Sequence, residues 1–384
     1  MADTVYWIWF QLVFGIGTRR SELMLRQFGG PQPIAEGMDQ PAVREMLAPR
    51  EASCAVTAMR DAETIKRRTL KKGCAIITPD DDLYPPLLHN VHAKPAALYV
   101  KGDLSCLRDR LCIAVVGTRM PSNSGKKVAD QITYALAGAG AVIVSGLANG
   151  IDSISHQAAL DAGSKTIGVL ACGIDVDYPR GSAALKGQVS SNGAVMSEFP
   201  LGERALAHHF SVRNRILSGM AHGVLVVEAG EKSGALITAR HAADQGRDVF
   251  AAPGRITDKG YEGSNALIRD GARFVLGAAD ILAEYKHMIK IPEEMHNSAL
   301  TRPNNNIDQD ACHEKSDLQR KEAPVYLSDP ARARYEKVAA QPVSVEHLAD
   351  SAGMEINHVL AALTELEIYG LVAMYPGRMF ALQA

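Results

Sequence analysis

The stretch Leu111-Cys112-Ile113-Ala114-Val115-Val116 runs directly into Gly117-Thr118-Arg119, and the pattern returns where Ala141-Val142-Ile143-Val144 runs into Ser145-Gly146-Leu147-Ala148. Short apolar runs rich in β-branched residues, without polar alternation, are strands buried on both faces. Further runs occur at Thr166–Leu170, Ala194–Met196, Gly223–Val227 and Val249–Ala252, with a weaker seventh at Phe274–Leu276. Helical stretches such as Lys126–Ala137, Ile154–Ala162 and Ala235–Gln245 separate them. The alternation predicts an α/β domain, a mostly parallel sheet with right-handed crossovers and helices on both faces. Ligands in such sheets bind beyond the carboxyl ends of the strands, so the loops after each strand are where chemistry is expected.

Outward from this domain, taken as residues 76–285, the pattern changes. Residues 1–75 carry Leu12, Val13, Ile16, Leu23, Leu25 and Phe28 at near-helical intervals, broken by Gly15-Ile16-Gly17 and Gly29-Gly30-Pro31. They predict a small helical domain of SAM or helix-hairpin-helix type. A Gly-x-Gly hairpin can offer N–H groups to phosphate, but alone it reads first as a tight turn. Residues 76–110, punctuated by Pro79, Pro85, Pro86 and Pro95, predict a connector with short extended pieces such as Ala97–Val100. Residues 286–327 are polar, with Asn304-Asn305-Asn306, and predict a flexible linker. In 328–384, Val345, Leu348 and Ala349 precede Gly353, and Ile356, Val359, Leu360, Leu363 and Leu366 follow at helical spacing. Two apolar runs flanking Pro376-Gly377 then complete a winged helix.

Composition narrows the function classes. No apolar run reaches the roughly 18–20 residues of a membrane span. The start, Met1-Ala2-Asp3, has no basic leader, so a cytoplasmic protein without membrane contact is expected. With 41 Lys+Arg against 43 Asp+Glu, any polyanion must be held by a local basic patch. The six cysteines form no CxxC pair, which argues against structural zinc; neither metal nor cofactor is expected. Cys112 and Cys172 lie in apolar runs and are read as buried thiols of a reducing compartment.

Glycines after strands let backbone approach an anion, and the helix that follows presents free N–H groups to it. A triphosphate P-loop is excluded: Met120 stands where a glycine is required ahead of Gly125-Lys126, and Lys127 where a magnesium-holding hydroxyl belongs. A dinucleotide fingerprint fails because Gly138-Ala139-Gly140 precedes a strand. Arg119, Arg180, Arg213 and Arg215 sit at strand ends or helix starts, where a guanidinium can fork onto phosphate oxygens; surface salt bridging is the plainer alternative. Glu228, after an apolar run, reads either as an acid–base group or as a buried hydrogen-bond hub.

The ordered set Gly117-Thr118-Arg119, Ser145-Gly146-Leu147-Ala148 with Gly150-Ile151-Asp152, Cys172-Gly173-Ile174-Asp175 with Tyr178-Pro179, Arg213-Asn214-Arg215, Ser233-Gly234-Ala235-Leu236-Ile237-Thr238-Ala239, Ala252-Pro253-Gly254 and Gly263-Ser264-Asn265 closely resembles the DprA/Smf family of DNA-processing proteins. Order and spacing match across residues 76–285. The resemblance implies an extended Rossmann-like domain that binds single-stranded DNA without sequence preference. It implies a homodimer that loads the RecA recombinase onto DNA, in natural transformation or general recombination, with single-stranded DNA-binding protein as a further partner. It implies a DNA pocket with Arg119, Arg180, Arg213, Asn214 and Arg215 at its basic positions and Gly117, Ser145 and Gly146 on its loops. Departures are Ser124 before Gly125, where the family has an aromatic, and Phe210-Ser211 where it has Phe-Pro.

A binding protein is therefore the leading reading. The alternative is a nucleotide-processing enzyme of a Rossmann-like lyase type, with Glu228 or Asp152 as acid or base. No paired-carboxylate or Ser-His-Asp context supports it, and His156, four residues after Asp152, reads as a helix-start hydrogen bond. A sequence-specific regulator rests on the winged helix alone. Residues 331–384 hold four bases against six acids, and the would-be recognition helix 355–369 has three glutamates and no Lys or Arg. Such a helix is repelled by phosphates, so protein contact is expected of it instead of duplex reading.

Overall fold

The computed structural model describes residues 3–288, 343–350, 356–368, 371–375 and 379–382. The chain divides into two compact units, Met1–Pro303 and Asn304–Ala384. The first begins with α1 (Thr4–Phe14), α2 (Arg19–Phe28), the short α3 (Pro31–Glu36) and α4 (Pro41–Arg44), and the long α5 (Pro49–Lys71). Local chemistry sets the hairpin between α1 and α2. The Thr18 side chain caps the start of α2, and Gly29 ends it at φ 78°, a left-handed conformation that suits glycine.

One sheet follows, built from β1 (Ala75–Ile77), β2 (Leu98–Gly102), β3 (Cys112–Val116), β4 (Val142–Ser145), β5 (Thr166–Leu170), β6 (Ala194–Ser197), β7 (Gly223–Val226), β8 (Asp248–Ala251) and β9 (Arg273–Phe274). Their order is β1-β2-β6-β5-β4-β3-β7-β8-β9. β1 pairs with β2, and β2 with β6, antiparallel; the other pairings are parallel. The expected α/β sheet is present, and its parallel strands lie within a residue or two of the apolar runs.

The intervening helices are α6 (Asn123–Gly138), α7 (Ile151–Asp161), α8 (Ala183–Asn192), α9 (Ala207–Gly219), α10 (Ala235–Asp244), α11 (Glu262–Arg269) and α12 (Ala278–Glu284). Successive residues of a strand face opposite sides, and β3 is buried along its whole length. Ile113 and Val115 pack with Leu136 of α6, whereas Cys112, Ala114 and Val116 share a cluster with Leu217 of α9 and Ala239 of α10. Layers on both faces explain why these strands show no polar alternation.

The boundary expected at residue 75 does not divide two cores. Trp7, Trp9, Phe10 and Phe14 of α1 share one apolar cluster with Tyr99, Leu170 and Val195 of the sheet. Gln11 Nε2 donates to the Glu198 carbonyl at 2.8 Å, and the Tyr99 hydroxyl donates to Gln11 Oε1 at 3.3 Å. The physical reason is the antiparallel edge. β1 and β2, legible in sequence only as extended pieces, carry the sheet past β6, and the N-terminal helices cover the added face.

The second unit contains β10 (Val343–Ser344), α13 (Val345–Asp350), α14 (Ile356–Ile368), β11 (Val372–Tyr375) and β12 (Met379–Leu382). The strands pair antiparallel in the order β10-β12-β11 around Val345, Leu348, Val359, Leu363, Leu366 and Phe380. These are the elements of the expected winged helix. Most of the expected linker 286–327 lies outside the described residues, as do Gly353 and the Pro376-Gly377 turn. Among the described residues no helix is long and apolar enough to cross a membrane.

A shared core has a measurable consequence. Phe10 is fully buried, so Phe10→Ala should cost about 3–5 kcal/mol. Both tryptophans lie in α1, so fluorescence reports the N-terminal helices and far-UV circular dichroism the whole. In urea the two signals should shift together. Loss of fluorescence well before the dichroism would separate the helices from the sheet.

Candidate nucleic-acid interface

Strands β4, β5 and β6 lie on one side of β3, and β7, β8 and β9 on the other. The loops after β3 and β7 therefore diverge, and the crevice they leave is where doubly wound sheets take ligands. A cavity of about 490 Å³ opens there, lined by Gly117, Arg119, Phe210, Arg213, Asn214 and Thr238, among others.

Glu228, just past β7, sets the wall. Its backbone carbonyl accepts from Thr118 N–H at 2.8 Å. Its Oε2 accepts from Ser122 N–H at 3.0 Å and from the Ser122 hydroxyl at 2.8 Å. Ser122 Oγ in turn accepts from Gly125 N–H at 3.0 Å and caps α6. Glu228 is thus a hydrogen-bond hub joining the two diverging loops.

The floor is built on Arg213, which is 4% exposed. Its Nη1 donates to the Gly146 carbonyl at 2.9 Å and also to the Val169 carbonyl. Its Nε donates to Asn214 Oδ1 at 3.2 Å, and Asn214 Nδ2 donates to the Gly234 carbonyl at 3.3 Å. Asp152 accepts from Ala148 N–H at 3.4 Å. Burial pushes the Asp152 carboxyl up, and the Arg213 charge pulls it back. Burial likewise pushes the Arg213 guanidinium down, opposed by Asp152. Gly146 is required beside this pair: a Cβ there would strike the guanidinium and stand 2.6 Å from Asp152 Oδ2. The Ser145 hydroxyl donates to the Val115 carbonyl at 2.7 Å, tying the end of β4 to β3.

The mouth is aromatic and cationic. Arg119 is exposed, its guanidinium 4.8 Å from the Phe210 ring centroid, while Arg213 approaches the same ring at 5.9 Å. Tyr178 lies 5.5 Å from Phe210, and Arg119 Nη1 donates to its hydroxyl at 3.5 Å.

Gly117, Arg119, Arg213 and Asn214 of the expected set therefore line one cavity. Ser145 and Gly146 support its floor, and Arg180 is exposed two residues past Tyr178. Arg215 is not brought to the cavity. It is buried, and its Nη2 donates to both carboxylate oxygens of Glu198 at 2.8 Å. Residues of a helix turn by about 100° each, so 210, 213, 214 and 217 share a face and 215 points away from 213. Applied to α9, that periodicity would have separated the two arginines. It would also have placed Phe210 on the cavity face; neither Phe210 nor Tyr178 was singled out as a stacking group.

His156 pairs with Thr166 of β5 and not with the start of its own helix. The Thr166 hydroxyl donates to the Ile143 carbonyl at 2.8 Å, so His156 Nδ1, 2.7 Å from Thr166 Oγ1, is the donor in that pair. Burial holds its pKa down to about 3. The ring is a neutral tie from α7 to β5. Cys112 and Cys172 are buried free thiols, and burial pushes Cys112 up to about 12. Among the described residues no group of three or more His, Cys, Asp or Glu side chains is placed to hold a metal ion.

These features define a doubly wound α/β domain with an arginine-floored switch-point cavity, joined in one chain to a winged helix. The family model for DNA recombination-mediator protein A matches residues 75–286, and that for the DprA winged helix domain matches residues 319–378. The chain belongs to the DprA/Smf family of DNA-processing proteins. It is 43% identical over 206 residues to DNA processing protein DprA of Streptococcus pneumoniae, covering 54% of this chain and 72% of that one. It is 36% identical over 304 residues to Protein Smf of Escherichia coli, covering 79% and 76%. The X-ray structure of the pneumococcal protein superposes with a TM-score of 0.62 at 36% identity, over 74% of this chain and 99% of that one. A structure of the Helicobacter pylori protein, described for its single-stranded DNA binding mode, gives 0.51 at 28% identity, over 56% and 97%.

The neutral buried histidine predicts a pH dependence. Its folded pKa lies below the ordinary 6.5, so the unfolded chain binds the extra proton between about pH 6.5 and 3. The stability contribution is complete above that window and falls with pH inside it, by about 1.4 kcal/mol per unit. His156→Gln keeps a donor for Thr166 and cannot titrate. Urea unfolding between pH 7 and 5 should show a shallower loss of stability in the variant than in the parent protein.

Proposed function

We propose that this chain binds single-stranded DNA without sequence preference at the switch-point cavity and delivers it to the RecA recombinase. One observation carries the reading: a solvent-facing guanidinium, Arg119, stands over Phe210 and beside Tyr178 at the mouth of the cavity. A guanidinium meets phosphate oxygens in a bidentate fork. Aromatic faces stack on any base, so neither contact reads sequence. The Helicobacter pylori relative, whose structure concerns single-stranded DNA, supports the same ligand.

In this reading Arg119 and Arg180 meet the strand directly, Arg213 and Asn214 act from the floor with Gly117, and Ser145 and Gly146 hold the loop. Arg215 acts by fixing α9. Recombinase delivery, and single-stranded DNA-binding protein as a further partner, follow from the family. The setting is cytoplasmic, in natural transformation or general recombination. An enzymatic role is disfavoured because Glu228 is engaged in bonds that join the cavity loops, and Asp152 is buried beside Arg213 and accepts from Ala148 N–H. The acidic winged helix is assigned to protein contact. The working unit is a homodimer through the middle domain, which would set two pockets on one particle.

Arg119→Glu removes a phosphate partner and adds a repulsion. Its affinity for single strands should fall at least about tenfold at moderate salt, about 1.4 kcal/mol, by fluorescence anisotropy. Unchanged affinity in a folded variant would place the site elsewhere. Light scattering at micromolar concentration should read the mass of a pair; a monomer would remove the dimer.

A further inference from the structure

Helix α5 ends in Lys66-Arg67-Arg68-Thr69-Leu70-Lys71, and Lys72 follows: five bases in seven residues, in a chain of net charge −2. The carbonyls at a helix C-terminus favour a base or two in the last turn. That accounts for Arg68 and Lys71 but not for the density of the run. Lys66 is paired with Asp3 at 2.7 Å. Arg67, Arg68, Lys71 and Lys72 are exposed and enter no ion pair among the described residues. Arg67 with Lys71, and Arg68 with Lys72, are also like charges four residues apart on one helix face, an arrangement that disfavours the helix. The run keeps cations together at a cost to the fold and leaves their charge to solvent.

Its place connects it with the cavity mouth. Arg68 Nη2 lies 3.2 Å from where a Cβ of Gly202 would stand, so it rests on the loop after β6. Gly202 N–H donates to Asp175 Oδ1 at 2.7 Å, and Gly173 N–H donates to the Glu203 carbonyl at 2.9 Å. These bonds join that loop to the segment running from Gly173 to Tyr178, whose hydroxyl meets Arg119. Arg180 and Arg204 are exposed on the two loops between. The acids on this path are Asp175, whose carboxylate accepts from Gly202 N–H, the exposed Asp177 beside Tyr178, and Glu203, against the six bases Arg67, Arg68, Lys71, Lys72, Arg180 and Arg204.

We infer that the C-terminal end of α5 is a second phosphodiester-binding patch, which takes the same single strand after it leaves the cavity. The inference rests on the cavity being a single-stranded DNA site. It assigns the N-terminal helices a direct role in binding: they lengthen the track along which phosphates are neutralised. A strand too short to pass the mouth gains nothing from it.

The test compares a six-nucleotide oligothymidine with a thirty-nucleotide one, on the full chain at several salt concentrations. In the variant Arg67→Gln/Arg68→Gln/Lys71→Gln/Lys72→Gln, affinity for the long strand should fall about tenfold or more at moderate salt. Its dependence on log salt should flatten by about two to three, the loss of four contacts at about 0.7 each on a single strand. Affinity for the short strand should stay within about twofold, whereas Arg119→Glu should weaken both. A long-strand affinity and salt slope equal to the parent's, with Arg119→Glu still weakened, overturns the patch and leaves the cavity site standing. Arg119→Glu binding both strands as the parent does overturns the cavity site itself. If the fourfold variant loses its thermal transition, Lys71→Gln/Lys72→Gln carries the same test, with a slope change of about 1.4.

Discussion

The guanidinium of Arg213 is held out of water at the carboxyl ends of β4 and β5, and the geometry of the site follows from it. A buried charge costs several kcal/mol unless its protons are taken up. Here two strand-end carbonyls, Gly146 and Val169, and the Asn214 side chain accept from it, with Asp152 close by. Gly146 can carry no side chain, because the guanidinium and Asp152 Oδ2 occupy that space. Asp152 sits in the first turn of α7, so the loop between β4 and α7 closes over the same cation. With Arg213 fixed, the rotation of α9 is fixed, and Phe210, one turn earlier, comes to the cavity mouth where Arg119 stacks on it.

The opposite face of α9 is gripped as firmly. Arg215 binds both oxygens of Glu198, and the Glu198 carbonyl accepts from Gln11 of α1. The Gly15–Gly17 turn lies against Val212 and Arg215, so the hairpin between α1 and α2 packs on the helix that carries the cavity's aromatic. A chain of contacts therefore runs from α1 through Glu198 and Arg215 to the helix bearing Phe210 and Arg213. The N-terminal helices belong to the same mechanical body as the cavity, as the shared cluster of Trp9, Phe10, Tyr99 and Leu170 also requires.

Much of this is legible in the amino-acid sequence. Buried parallel strands cannot alternate, so the runs 111–116, 141–144 and 166–170 showed themselves, and the loops that follow them carry the cavity. Two things escaped for definite reasons. The antiparallel strands β1 and β2 are short, and prolines surround them, so neither periodicity nor length separated them from a connector. The arginines of Arg213-Asn214-Arg215 look alike in a linear motif, yet on a helix they point to different sides. One is surrounded by strand-end carbonyls and the other by a carboxylate. The motif located the helix without telling which of its cations faces the cavity.

That distinction bears on how a near-neutral chain could hold a polyanion. Arg213 is buried against strand-end carbonyls and Arg215 against the Glu198 carboxylate, so they offer a strand little beyond a fixed positive background. Arg119 is different: its guanidinium lies over the Phe210 ring, donates to the Tyr178 hydroxyl and is exposed to solvent. The site keeps its buried cations for the scaffold and offers a strand Arg119, on its aromatic ring, and the exposed Lys232. It presents charge and flat faces, which every nucleotide can satisfy alike. On the proposed reading, indifference to sequence arises from the same burial of Arg213 that gives the cavity its shape.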